Sequence, residues 1–277
     1  MQKSYDGKAC LYLVPTPIGN MDDITLRGLD ILSVVDAIFC EDTRTSSILL
    51  KHYDINKKLI SCHMFNEDTV KDKVREFLDD NKSVALISDQ GSPVISDPGY
   101  VVSSYLINLG YNVVALPGAT AFTPALMMSG LPTEHFLYYG FLSSKNSKRE
   151  EELENLKSYP FTMIFYEAPH RILDTLSTME KIFGDRDVAV VREISKIHEE
   201  VVRDKLSNIG NLITVKGEFV IVVDGYKNED NFSDISIENH VKLYMDDGMK
   251  KMDAIKKVAK ERGVAKSEIY KEFIDKE

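Results

Sequence analysis

The chain has 277 residues, 43% of them hydrophobic, enough to bury a sizeable core in about two domains. No apolar run approaches the roughly 18 residues of a membrane span, and no basic and then apolar leader opens the chain, so neither a membrane segment nor a signal peptide is expected. A net charge of −10 argues against a nonspecific nucleic-acid coat and leaves room for a local basic surface.

Residues 9–14 read as a first strand, followed by Pro15-Thr16-Pro17-Ile18-Gly19-Asn20. A helix begins near Thr25, whose hydroxyl can cap it, and carries Leu26, Leu29, Ile31, Leu32 and Val35. Then come strand 37–40, helix 43–52, a short strand 58–61 and a helix 68–80 with Val70, Val74, Phe77 and Leu78 on one face. Asn66 or Asp68 is expected to cap that last helix. Strand 84–87, helix 100–109 closed by Gly110, and strand 112–115 complete the series. This alternation implies a mostly parallel sheet covered on both faces, a domain over 1–117.

After Pro117 the pattern changes. A helix at 119–128, a strand at 136–141, a polar connector at 143–147 and a charged helix at 150–156 lead into strands 162–166, 188–193, 198–203 and 219–223, with a helix at 171–183. The mixture predicts a second, α+β domain over 118–227 with antiparallel pairing. Asn228-Glu229-Asp230-Asn231 reads as a linker, and 234–277 as three short amphipathic helices with a helix-turn-helix pattern at Gly263. Lys250 to Lys271 holds eight Lys or Arg against three Asp or Glu. A nucleic-acid contact and a solvated helical cap are both compatible with that stretch.

Three loops stand out. Ser88-Asp89-Gln90-Gly91-Ser92-Pro93-Val94-Ile95-Ser96-Asp97-Pro98-Gly99 follows a buried strand and is long for a turn between strand and helix. Loops rich in Gly and Pro at the carboxyl ends of strands are where open α/β sheets bind ligands. The loop at 15–20 has one glycine and two prolines, so it is not a dinucleotide fingerprint, and no Walker A sequence is present. With Leu116-Pro117-Gly118-Ala119-Thr120, these loops can line one crevice, whose ligand is not held through phosphates. Cys10, Cys40 and Cys62 lack CxxC spacing and read as buried thiols in a reducing cytoplasm. No Cys/His/Asp cluster has metal-ligand spacing, so no metal is expected.

VPTPIGNMDDITLRG, ISDQGSPVISDPG and LPGATA resemble the S-adenosylmethionine-binding loops of the tetrapyrrole (class III) methyltransferases. CEDTRTSSILL, FYEAPHRI and REISKIHEE narrow the likeness to the branch that methylates a ribose 2′-hydroxyl of a decoding-centre cytidine in 16S rRNA. The resemblance runs from about Ala9 to the C-terminus. It implies the two-domain class III fold, S-adenosylmethionine as cofactor, the small ribosomal subunit as partner, and a homodimer. It places Pro17, Ile18, Ser92, Ile95, Ala119, Thr120, Tyr166, Val191 and Phe219 near the cofactor, with Gly91 and Gly118 permitting close approach. Two other classes stay open: a methyltransferase for a tetrapyrrole or other small molecule, and a ligand sensor that binds DNA through its tail.

S-adenosylmethionine carries its own leaving group, so the transfer needs neither metal nor covalent intermediate, and positioning does much of the work. Asp42 or Thr43 accounts for a helix start, which leaves Arg44 as a candidate phosphate contact. Arg171, after a strand end, is a candidate for the RNA backbone, as are Lys250, Lys251, Lys256 and Lys257 in the tail. Residues 192–200 read either as a solvated hairpin or as a rim facing the ribose. Lys196 is the candidate to steer or activate the hydroxyl, with Glu193 or His198 orienting it and Arg192 beside them. Spacing alone does not choose among these.

Overall fold

Strict alternation of apolar side chains builds the first sheet. In the computed structural model, which describes Gln2 and residues 6–227 and 235–274, Leu11 and Leu13 of β1 (Cys10–Leu13) face one side, and Cys10 and Tyr12 the other. The same period of two sorts β2 (Ala37–Cys40) and β4 (Val84–Ile87), whose side chains are all buried. With β3 (Leu59–Ser61) and β5 (Asn112–Ala115) these form a parallel sheet in the order β3-β2-β4-β1-β5. Helices α3 (Glu67–Asp79) and α4 (Tyr100–Asn108) cover one face, α1 (Leu26–Val34) and α2 (Thr43–His52) the other. The neighbouring strands β1 and β4 thus send their chains to opposite faces. That divergence opens a crevice at the carboxyl edge, between the loops at 15–25 and 88–99.

The second sheet runs β6-β7-β10-β8-β9: β6 (Phe136–Phe141), β7 (Thr162–Glu167), β8 (Asp187–Arg192), β9 (Glu200–Lys205) and β10 (Phe219–Val223). Three of its four pairings are antiparallel; β6 lies parallel to β7, joined to it through α6 (Asn146–Leu156). One face packs on α6 and α7 (Ile172–Phe183), the other on α5 (Phe122–Ser129). Both sheets belong to a single compact unit, Met1–Tyr226.

The second unit, Lys227–Glu277, holds α9 (Ile237–Asp246), α10 (Lys251–Glu261) and α11 (Lys266–Ile274), with α8 (Leu206–Ile209) lying in the first. Val241, Ile255, Val258, Ile269 and Phe273 form its small core, and the turns fall at the expected Gly248 and Gly263. The linker expected at 228–231 lies outside the described residues.

Local chemistry explains where the elements depart from the sequence reading. Helix α6 starts inside the expected polar connector, because Asn146 accepts from Arg149 at 2.6 Å and Glu152 reaches back to the N–H of Ser143 at 2.8 Å. Strand β9 begins at Glu200, after a turn in which Glu193 and Ser195 take positive φ. Asn66 occupies the first position before α3 but does not cap it; its side chain binds the His63 N–H and the Ser61 carbonyl.

The three cysteines are at most 2% exposed, and burial pushes the Cys62 thiol up to about 12. A disulfide reagent at pH 8 should therefore titrate no thiol in the folded protein and three in guanidinium. Rapid reaction of even one in the native state would contradict this packing. Among the described residues no helix is long and apolar enough to cross a membrane.

Candidate active site

Backbone and hydroxyl hydrogen bonds lace the three predicted loops together. Thr16 and Gly91 exchange N–H···O=C bonds of 2.9 and 3.0 Å. The Thr16 hydroxyl donates to the Ser88 carbonyl at 3.1 Å, and the Ser88 hydroxyl to the Gly91 carbonyl at 3.0 Å. Ser92 ties the second loop to the third by donating to the Ala119 carbonyl at 3.1 Å. At Gly91 φ is +81°, a conformation only glycine takes freely, and a Cβ there would face Ile18 at 3.4 Å and the Ala119 carbonyl at 3.8 Å.

These loops wall a cavity of about 530 Å³. Ile18, Gly91, Ser92, Ile95 and Thr120 line it from the first half, and Tyr166 and Phe219 from the second sheet. Gly118 and Ala119 line an adjoining cleft shared with Ile18, Ser92 and Thr120. Pro17 opens on a separate, smaller hollow with Gly19 and Thr45. Val191 lines none of the three. It is fully buried in the core cluster under α5, on the same sheet face as Tyr166 and packed in one cluster with Ile18, Phe122 and Tyr166 of the cavity wall.

Several wall residues were not read from the sequence as cofactor contacts. Phe122 and Phe141 close the cavity with Tyr166; Tyr138 packs behind them, 4.6 Å from Phe122 and 5.2 Å from Tyr166. The Tyr166 hydroxyl accepts the Phe122 N–H at 3.1 Å, fixing the start of α5. Glu41, Asp89, Asp97, Glu167 and Glu218 supply carboxylates. Glu41 and Asp89 sit just past β2 and β4, a position that marks them; Asp97 and Glu218 have no such signal. Burial and the charges of Glu41 and Asp89 push the Asp97 carboxyl up to about 7.

Lys196 sits at the rim. Its ammonium donates to Glu193 at 2.9 Å and to Glu218 at 2.8 Å. Burial alone would pull its pKa down, but these two carboxylates outweigh burial and hold it above the ordinary lysine value. Glu193 is likewise held ionised: burial opposes it, and the N–H of Glu218 and the Lys196 ammonium prevail. A Cβ on Gly19 would overlap the Lys196 side chain, so the first loop lies directly on the lysine's stem. Ser195 adds a hydrogen bond to Asp23 across the same seam. Of six described non-glycine residues with positive φ, four are Val94, Ser96, Glu193 and Ser195, so backbone strain gathers in the two loops facing the site.

The basic candidates are placed differently from one another. Arg192 pairs across the hairpin with Glu200 at 2.8 Å. Arg44 is 89% exposed and grips Asp42, which also caps α2. Arg171 turns inward, 3.2 Å from the buried Glu167 and donating to the carbonyls of Leu142 and Ser143, so its guanidinium braces the loop after β6. In the second unit Lys250, Lys256 and Lys257 are exposed, while Lys251 is half-buried with its ammonium over the Phe273 ring. Among the described residues no group of three or more His, Cys, Asp or Glu is arranged to hold a metal.

A parallel sheet and a mixed sheet meeting at a crevice of strand-end loops define the class III methyltransferase fold. Residues 10–210 match the family model for tetrapyrrole (corrin/porphyrin) methylases, and the chain belongs to that family. Among its relatives, a protein of Bacillus subtilis (strain 168) named ribosomal RNA small subunit methyltransferase I is 43% identical, over 97% of this chain and 96% of its own. One of the same name from Streptococcus pyogenes serotype M18 is 40% identical over 99% of both chains. Solved structures share the fold at lower identity. Uroporphyrin-III-C-methyltransferase from Thermus thermophilus has a TM-score of 0.55 at 17% identity, covering 78% of this chain and 94% of that one. Diphthine synthase has a TM-score of 0.60 at 14% identity, covering 78% and 90%.

The family's cofactor is S-adenosylmethionine, and the cavity suits it. Its volume is that of a small-molecule site, its walls are aliphatic and aromatic, and its carboxylates match a cationic ligand.

Proposed function

We propose that this enzyme methylates a ribose 2′-hydroxyl of a decoding-centre cytidine in 16S rRNA, in the cytoplasm, on the small ribosomal subunit and as a homodimer. The observation that carries the reading is 43% identity, over 97% of the chain, to a protein named for small-subunit rRNA methylation. The charge of the cavity agrees. Its wall holds five carboxylates and no Lys, Arg or His, so it repels phosphates, and a polycarboxylated tetrapyrrole fares no better there. A ribose edge carries no charge and is free to enter while its phosphates stay outside.

When bound, S-adenosylmethionine supplies an electrophilic methyl group. The chain's own part is to position and to dry the site. Ile18, Gly91, Ser92, Ile95, Ala119 and Thr120 cradle the cofactor, and Phe122, Phe141 and Tyr166 exclude water. Lys196, kept protonated, cannot act as a base near neutral pH; it offsets negative charge at the rim where the hydroxyl oxygen gains it. Exposed Lys250, Lys256 and Lys257 are the phosphate contacts, Arg44 a further one, and Arg171 a brace for the wall.

The test is direct. Small subunits from a strain lacking the protein are incubated with it and labelled cofactor, and the methyl is mapped to base or ribose. Label on a base, or no label on RNA alongside transfer to a tetrapyrrole, rejects the reading. Replacing Lys250, Lys251, Lys256 and Lys257 with Gln should lower the log–log salt slope of subunit binding by about 1 for each lost contact and leave cofactor affinity unchanged. An unaltered slope would make these helices a cap.

A further inference from the structure

Charge on the cavity wall is one-sided. Glu167 has Arg171 at 3.2 Å and Glu218 has Lys196 at 2.8 Å. Glu41, Asp89 and Asp97 line the same space, and no ion pair joins them to a cation among the described residues. Among the described residues the Asp89 carboxylate accepts the N–H of Asp42, at 3.1 Å. Their ionisable surroundings are His63 near Glu41, Asp42 and Arg44 near Asp89, and Tyr138 near Asp97; Arg44 is already gripped by Asp42. Burial raises all three carboxyls, and repulsion adds to it: Asp89 acts on Glu41, Glu41 and Asp89 act on Asp97, and Asp42 acts on Asp89. A cation entering this space relieves the repulsion, and a neutral molecule does not.

We propose that Glu41, Asp89 and Asp97 make the cavity a reader of cofactor charge, holding S-adenosylmethionine, whose sulfur is cationic, and releasing the demethylated thioether, whose sulfur is neutral. Methyl transfer breaks the methyl–sulfur bond and leaves its electron pair on sulfur, so the positive charge disappears from that atom. The three carboxylates then lose the sulfonium charge, while the α-ammonium common to both molecules stays, and the spent cofactor is held less firmly. The inference rests on this cavity being the cofactor pocket. It has a second consequence. Near pH 7 Asp97 is partly protonated, with its carboxyl at about 7, and a bound cation favours the ionised form. Binding the sulfonium ligand therefore expels a proton, and its affinity rises as pH climbs through about 7. The thioether should show neither effect at sulfur.

Titration calorimetry of the intact protein with S-adenosylmethionine and with S-adenosylhomocysteine, in phosphate and in Tris at pH 7, tests both consequences. The sulfonium ligand should bind about tenfold more tightly or better. Its apparent enthalpy should differ between the buffers by the heat of the expelled proton, and more so than that of the thioether. In the double variant Asp89→Asn, Asp97→Asn the preference should shrink to below about threefold and the buffer dependence should vanish, with thioether affinity little changed. Removing repelling charges should not lower Tm. If the variant folds poorly, the wild-type comparison of the two ligands still decides. Equal affinity and equal proton release for both ligands would overturn the inference, as would a variant that weakens both alike. Gly91→Val binding either ligand normally would instead reject the pocket itself.

Discussion

Lys196→Met slows single-turnover methyl transfer roughly a hundred- to a thousandfold, the usual size of a lost charge contact at a developing oxyanion. Methionine preserves the stem that packs under Gly19 and deletes the ammonium that bridges Glu193 and Glu218. Two carboxylates then face the rim without a counter-charge. The negative charge gathering on the acceptor oxygen is disfavoured twice, by a missing cation and by exposed anions. The assay uses saturating cofactor and saturating small subunit, so a binding defect cannot imitate a chemical one. Lys196→Arg keeps the charge and should recover part of the rate. Because Lys196 stays protonated, the wild-type rate should show no loss between pH 7 and 9 that disappears in the methionine variant. A loss below roughly tenfold, about 1.4 kcal/mol, would leave Lys196 as a charge of the rim and shift attention to Glu193 and Arg192.

Gly91→Val should weaken S-adenosylmethionine binding at least about tenfold, 1.4 kcal/mol, while the fold persists. Two effects combine. Valine is forced to a φ near +81°, a left-handed conformation that costs a β-branched residue about 1–3 kcal/mol. Its methyl groups then project between Ile18 and the Ala119 carbonyl, where the first and third loops converge. Circular dichroism and a melting curve separate loss of fold from loss of pocket. Calorimetric affinity equal to wild type in a folded variant would remove this loop from the cofactor site.

Much of the architecture was legible because it is local. Strands β2, β4, β5, β6 and β10 and helix α2 fall where periodicity and flanking turns put them, and Thr25 caps α1 as its sequence position suggests. The three loops that wall the cavity were legible by their place at strand ends and by their glycines and prolines. What was hidden depends on contacts between distant positions. Nothing in the sequence brings Asp97 towards Glu41, or Glu218 to Lys196. Val191 was assigned to the pocket by resemblance; its register with Val220 and Tyr166 sets it in the core cluster that also holds the wall residues Tyr166 and Phe122, a depth the sequence does not show. The four-residue α8 is too short to show a period. Arg171 looked like a free cation because the carbonyls it binds, Leu142 and Ser143, lie far back in the chain.

The meeting of Gly19 with Lys196 carries a lesson for anyone redesigning this enzyme. One segment belongs to the proposed cofactor cradle and the other to the proposed substrate rim, yet there is no space between them for even one added methyl. Neither can drift alone. An alanine at position 19 calls for a shorter or differently directed side chain at 196, and grafting a rim segment from a distant homologue without its matching first loop should yield a folded but idle chimaera. The two segments behave as one heritable cassette split across the sequence.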